Sequence, residues 1–359
     1  MRHFIAAVVC CVAGNCIAVI LAHAAELPEY REHHDLSYYL DGDGQRRPVA
    51  TTTDWQIRHR HILDHIQRVM GRLPGEMSRV PLDVKVLDES RNGDIIRRKI
   101  SFQSDARDRV TAWLLLPAGA GEAKRPAVLC LHQTIDAGKD EPVGLRGSQN
   151  MHYAIELARR GYVTLSPDYP SLGEHTYDFA EHPEYVSGTM KAVWDNIRAV
   201  DLLTSLAEVA PERIGVIGHS LGGHNAMFTA AFEPRLRVIV SSCGFTSFRK
   251  DDLPSWTGPR YMPRIATQFA SDADKVPFDF HEIVASFAPR PFLAVAATRD
   301  NDFDVSGVRD VIDSAEPVYR LFDKPQHLQS LYPDSPHDFP SEARQQAYEF
   351  LDCYLNPAP

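Results

Sequence analysis

One pattern limits the fold more than any other. From Arg125 to the C-terminus, short apolar runs alternate with helical stretches. The runs are PAVLCLHQ, GYVTLSPDY, RIGVIGHS, LRVIVSSCG, PFLAVAATRD and LQSLYPDSPHDF. Between and after them lie SQNMHYAIELARRG, VSGTMKAVWDNIRAVDLLTSLAEV, GGHNAMFTAAFEP, GVRDVIDSAEPVYRLF and EARQQAYEFLDCYL. Parallel neighbours need a crossover, and a helix supplies it, so this rhythm predicts a mainly parallel central sheet in an α/β fold. Helices then cover both faces, which is why the runs are almost continuously apolar rather than alternating.

The flanking segments read differently. Residues 80–117 hold three β-type runs parted by the turn-rich SRNG and SDARD, which predicts antiparallel strands at the start of the sheet. DWQIRHRHILDHIQRVMGRLP has helical spacing through Trp55, Ile62, Ile66 and Met70 and ends in glycine and proline. Residues 26–53 are polar and histidine-rich, an expected arm over the surface. Residues 245–289 are too long and irregular for a plain crossover and read as a cap-like insertion. The expected division is therefore a leader at 1–25, an N-terminal extension at 26–79 and a catalytic domain at 80–359.

The leader MRHFIAAVVCCVAGNCIAVILAHAAE has an early positive charge, an apolar stretch and small residues at Ala22, Ala24 and Ala25. This layout resembles a secretory signal with cleavage expected after Ala24 or Ala25, which predicts a secreted or periplasmic protein. A retained membrane anchor is the alternative. Of the six cysteines, Cys10, Cys11 and Cys16 leave with that segment. Cys130, Cys243 and Cys353 remain in core-like contexts and read as buried free thiols. Lys+Arg 38 against Asp+Glu 48 gives a net charge of −10, which argues against a nucleic-acid partner, and no basic stripe suggests a membrane surface.

Chemistry enters at Gly218-His219-Ser220-Leu221-Gly222, a G-x-S-x-G pattern where an apolar run meets a helix. Such a junction holds the serine in a strained turn, exposes Oγ above the sheet edge and frees the Leu221 N–H to stabilise an oxyanion. A serine needs a base, and in this topology acid and histidine follow it in order. FLAVAATRDNDFDV offers Asp300, with Asp302 as rival and Asp304 nearer the next helix. Asp300 is the first carboxylate past the strand. His337 is the one histidine after the last strand, whereas His327 precedes it and reads as a surface residue. The second oxyanion donor is expected from the loop after PAVLCL, at the N–H of Gln133. His132 beside it either shapes that loop or touches substrate.

LHQT…GKDEPVG, LARRGYVTLSPDYPSLGE, AVWDNIRAVDLL, IGHSLGGHNA and HDFP together resemble the α/β-hydrolase fold, over most of residues 80–356. Within it they resemble the dienelactone hydrolase and acetyl-xylan-esterase-like branch, near the prolyl-oligopeptidase catalytic domains. The resemblance implies Ser220 as nucleophile, Asp300 as acid and His337 as base, in agreement with position along the chain. Dienelactone hydrolases proper carry cysteine as nucleophile, so Ser220 points to ordinary ester hydrolysis. The expected activity is that of a serine carboxylic-ester hydrolase acting through an acyl-enzyme on acylated carbohydrate or another small ester, with no metal or organic cofactor. A prolyl-oligopeptidase-like peptidase or amidase is the alternative enzyme, and a catalytically dead binding protein the alternative outside catalysis.

Other residues carry two readings each. His61 and His65, four apart on one helical face, have zinc-like spacing but no third ligand, and a solvated or partly packed face accounts for them. Trp256, Tyr261 and Phe269 either line a substrate pocket or anchor the insertion. His219 is a further candidate substrate contact. Trp194, on a helix with Ile197, Val200 and Leu203, reads as core.

Overall fold

The computed structural model describes residues 27–119 and 124–356. The leader, with its cleavage site and Cys10, Cys11 and Cys16, lies outside the described residues. The described chain opens with a small hairpin, β1 (Tyr38–Leu40) and β2 (Arg46–Pro48), followed by α1 (Thr52–Met70). Then come β3 (Lys85–Asn92), β4 (Ile95–Gln103) and β5 (Arg109–Pro117). The alternating part runs β6 (Arg125–Leu131), α2 (Tyr153–Arg159), β7 (Val163–Pro167), α3 (Gly188–Ser205), β8 (Val209–His219), α4 (Leu221–Phe232) and β9 (Leu236–Ser242). Two short helices, α5 (Arg264–Thr267) and α6 (Phe280–Ser286), precede β10 (Phe292–Val295), α7 (Val305–Leu321), β11 (Leu328–Leu331) and α8 (Ser341–Leu355).

Nine strands form one sheet in the order β11-β10-β9-β8-β6-β7-β5-β4-β3. The six from β7 to β11 on the β8 side, β6 among them, pair in parallel, and β5, β4 and β3 continue the sheet antiparallel. This is the sheet expected from the sequence. Strand periodicity sorts its side chains: Leu129 and Leu131 of β6 join the core under α1, α3, α4, α6 and α7. Val128 and Cys130 join the core under α2 and α8. Edge strand β3 is exposed throughout, and its Lys85, Asp88, Glu89 and Arg91 discourage pairing with another chain.

The N-terminal arm is not a loose surface segment. Tyr30, His33 and Leu36 are buried. His33 Nδ1 lies 2.9 Å from Glu282 Oε2, and Arg58 Nη2 donates to Glu282 Oε1 at 2.5 Å. The Arg58 guanidinium also sits 3.2 Å over the Tyr30 ring. A carboxylate as buried as Glu282 persists only when paired, so the partners on the arm and on α1 are required by its burial. Polar composition therefore misreads this segment: its polar groups serve a buried ion cluster. Thr51 starts α1 with a capping box, its Oγ1 accepting from Asp54 N while Asp54 accepts from Thr51 N. His65 is buried and its pKa is driven down to about 4 by burial, while His61 Nδ1 pairs with Tyr30 Oη at 2.8 Å. The two histidines thus pack against the arm. Trp194 is core, donating to Ser104 O. Among the described residues no helix is long and apolar enough to cross a membrane. Cys130 and Cys243 are buried free thiols, but Cys353 is exposed on α8, because helical spacing turns it away from Leu351 and Leu355.

Candidate active site

β8 runs into α4 at Ser220, which has φ 53° and ψ −121°. A non-glycine residue is strained there and is held only because its surroundings over-determine it. Ser220 N donates to Ser242 O on β9, and His224 N donates to Ser220 O. The flanking glycines are required by close approach. A Cβ on Gly218 would strike the Gly222 carbonyl, and one on Gly222 would strike the Leu131 carbonyl of β6. The tight turn and the contact between α4 and β6 both depend on their absence.

The loops after β10 and β11 bring two further groups to the same end of the sheet. His337 Nδ1 lies 2.9 Å from each oxygen of Asp300. Asp300 Oδ1 also accepts from Asp302 N at 2.8 Å and Phe303 N at 3.1 Å, which fixes the carboxylate. Burial acts against the charged forms of both groups. Their mutual hydrogen bond and attraction outweigh it, holding Asp300 below and His337 above their ordinary values. Asp302 lies on the other side of the imidazole, its Oδ2 3.6 Å from Nε2, and Asp304 caps α7 by accepting from Ser306 N. Of the three carboxylates, Asp300 is the one bonded to Nδ1.

Ser220 and His337 open into one cleft of about 480 Å³, shared with Gln133, Leu221, Trp256 and Tyr261. Among the described residues His337 Nε2 has no hydrogen-bond partner, and it is not bonded to Ser220 Oγ. Such contacts are commonly long without substrate and tighten when it binds. The His337 ring is 4.8 Å from that of His219, the residue before Ser220.

Two expected substrate contacts are elsewhere. His132 is buried and saturated: Tyr169 N donates to its Nε2 at 2.9 Å, which leaves Nδ1–H to donate to Gln133 O at 2.7 Å. It shapes the loop that carries Gln133. His219 is fully buried, with Nδ1 3.0 Å from Ser242 Oγ and a pKa driven to about 3 by burial, and it packs beneath His337. Both side chains are buried and bonded within the fold, which the residue order does not reveal. Of the insertion aromatics, Trp256 and Tyr261 line the cleft, whereas Phe269 is core and anchors the segment. His327 lies away from the site, bonded to Pro289 O. Residues not singled out from the sequence also reach the cleft: Thr134, His224, Asp251, Asp252, Ser255 and Phe303. His224 had a signal available, since four residues past the serine is the next turn on the same face of α4.

Two groups among the described residues have metal-like spacing. In Cys243–Asp300–His337 the thiol stays protonated, its pKa pushed up to about 12 by burial and by Asp300. In Asp108–His175–Asp195 the Lys191 ammonium already bonds both carboxylates.

A strained serine at a strand-to-helix elbow, in an α/β sheet with an Asp–His pair from the next two strand ends, defines a serine hydrolase of the α/β-hydrolase class. The model of the prolyl oligopeptidase family matches residues 148–356, more than half of the chain, and the chain belongs to that family. A 4-O-methyl-glucuronoyl methylesterase of Wolfiporia cocos (strain MD-104) is 26% identical over 357 residues, covering 93% of this chain and 84% of its own. Among solved structures, a glucuronoyl esterase from Solibacter usitatus has a TM-score of 0.67 at 20% identity, covering 91% of this chain and 99% of its own. A glucuronoyl esterase from Teredinibacter turnerae T7901 has a TM-score of 0.68 at 18% identity, covering 92% and 90%.

Proposed function

We propose that the protein hydrolyses carboxylic esters of carbohydrates through an acyl-enzyme on Ser220. The observation that carries this reading is the Asp300–His337 pair facing the cleft into which the strained Ser220 opens. His337 Nε2 takes the Ser220 proton as Oγ attacks the ester carbonyl, while Asp300 holds Nδ1–H and stabilises the imidazolium. The N–H groups of Leu221, in the unpaired first turn of α4, and of Gln133 receive the oxyanion. The alcohol leaves with the proton from His337, and water then attacks the acyl-enzyme by the same route, releasing the acid and restoring the serine. The carbohydrate part rests on the names of relatives about a quarter identical. The protein acts outside the cytoplasm once the leader at 1–25 is removed, on this reading, with 26–79 as an extension bracing the catalytic domain of residues 80–359.

Family membership favours a second reading, amide hydrolysis. The two separate by rate: acetylated xylan, a methyl glucuronate ester and nitrophenyl acetate should each be hydrolysed, with kcat/KM at least roughly 100-fold above that on a peptide anilide. A preference for the anilide sinks the esterase assignment.

The base must be neutral to accept a proton, so kcat/KM should fall as pH drops through the His337 pKa. Because that pKa is raised, the midpoint should lie above the ordinary 6.5. Asp302 contributes to the raising, so Asp302→Asn should move the midpoint down. A pH–rate profile with its acid limb at or below 6.5 counts against His337 as the base.

A further inference from the structure

Three carboxylates, Asp251, Asp252 and Asp302, line the cleft, and among the described residues no lysine or arginine does. The cations nearest to them in the chain are engaged elsewhere. Arg249 pairs with Asp274 at 2.6 Å, Lys250 with Asp310 at 2.7 Å, and Arg299 with Asp334 at 2.7 Å. Arg260 Nε donates to Ser171 Oγ at 3.1 Å. The one basic side chain of the lining with a raised pKa is His337, 3.6 Å from Asp302, so carboxylates outnumber cations in the cleft, and its low-dielectric walls focus their field rather than dissipate it.

A second feature lies in the same wall. His224, one turn past Ser220, is 2% exposed, and its Nε2 has no partner among the described residues. Its ring lies 5.0 Å from Trp256 and 5.7 Å from Tyr261. Burial alone drives its pKa to about 3, so it stands as neutral imidazole with one donor and one acceptor. A buried polar atom left unpaired is costly, so the ring gains by turning that nitrogen towards a ligand hydroxyl in the cleft it lines. Asp251 accepts from Trp256 Nε1 at 2.9 Å and has an oxygen to spare. Burial above all pushes its pKa up to about 7, and Asp252 and Asp279 add to the rise.

Carboxylate acceptors, a neutral imidazole and the rings of Trp256, Tyr261 and Phe303 suit a ring bearing hydroxyls, and none of them can neutralise an anion. We infer that this cleft discriminates against esters whose sugar ring carries a free carboxylate, with His224 and Asp251 meeting ring hydroxyls and Asp252 and Asp302 repelling the anion. This rests on the ester-hydrolase reading and names its substrate class. It has a consequence for turnover. Hydrolysis breaks the acyl C–O bond, adds water and yields an alcohol, a carboxylate and a proton, so a uronate product emerges as an anion among these carboxylates and is expelled.

The test compares three acetylated methyl glycosides: a neutral xyloside, a glucuronoside with a free carboxylate, and a cationic glucosaminide. At low ionic strength kcat/KM for the xyloside should exceed that for the glucuronoside by roughly 10-fold or more, and salt should narrow the gap. Asp252→Asn/Asp302→Asn should narrow it about 3-fold or more without salt. His224→Phe should raise KM for the xyloside about 5-fold or more, with a smaller fall in kcat. Equal rates on neutral and anionic glycosides overturn the inference, as does a gap that the double variant leaves intact. A glucuronoside hydrolysed as fast as the glucosaminide at low ionic strength overturns it as well. Hydrolysis of none of the three overturns the ester reading itself, a distinguishable failure.

Discussion

Ser220→Ala is expected to lower kcat on a nitrophenyl ester by roughly 10,000- to 1,000,000-fold, with thermal unfolding shifted by no more than about 2 °C. The fold should be spared because alanine keeps the Cβ that the turn already accommodates at φ 53°. Ser220 N still donates to Ser242 O, and among the described residues no group depends on Oγ for its only hydrogen bond. What is lost is the nucleophile, and with it the use of His337 as base. The double variant Ser220→Ala/His337→Ala should therefore be hardly slower than either single one, since residues acting as a unit are non-additive. A fluorophosphonate should label the natural protein and leave the alanine variant unlabelled. Retention of more than about 1% of activity, or multiplicative losses in the double variant, would place the nucleophile elsewhere.

Why the elbow was legible from sequence and its surroundings were not has a physical explanation. Gly218 and Gly222 are forced by backbone contacts within one turn and with the adjacent strand, so the constraint is local and leaves a local pattern. The parallel sheet is legible for a similar reason: strands such as β6 and β8 bury both faces, which leaves continuous apolar runs. Asp300 and His337 could be ranked by topology, because the strand ends set their positions. Chain order could not set the direction of a side chain. His132 and His219 flank the site in sequence yet turn inward, to Tyr169 N and Ser242 Oγ. The cleft wall of Asp251, Asp252 and Trp256 comes from an irregular insertion whose path obeys no period. The N-terminal arm misleads because a buried ion cluster, such as His33–Glu282–Arg58, has the composition of a solvated surface.

Lys191 lies at a second buried cluster of that kind, and its replacement carries the largest expected loss of stability. Its ammonium bonds Asp108 Oδ2 at 2.6 Å, Ser104 Oγ at 3.1 Å and Asp195 Oδ1, and Lys191 and Asp195 are almost wholly enclosed. The cluster fixes α3, which in turn holds α4, the helix behind Ser220, through Asn196 Nδ2 to Asn225 Oδ1 at 3.0 Å and Thr229 Oγ1 at 2.9 Å. Lys191→Met fills similar volume but leaves Asp195 without its cation and Asp108 with His175 alone, a change that typically costs about 3–5 kcal/mol. Lys99→Met, which breaks the exposed pair with Glu174, should cost less than about 1 kcal/mol. The pH dependence identifies the cause. In the natural protein Asp108 is held below its ordinary 3.8 despite burial, by His175 and Lys191, so its contribution is present above that value and lost as pH falls through the lower folded pKa. Without Lys191 the carboxylates are easier to protonate, so the deficit of the variant should shrink as pH falls from about 7 towards 5. Urea unfolding of both variants across that range checks this. A Lys191→Met loss no larger than that of Lys99→Met, or one that does not change with pH, would mean that packing rather than the buried charge sustains α3.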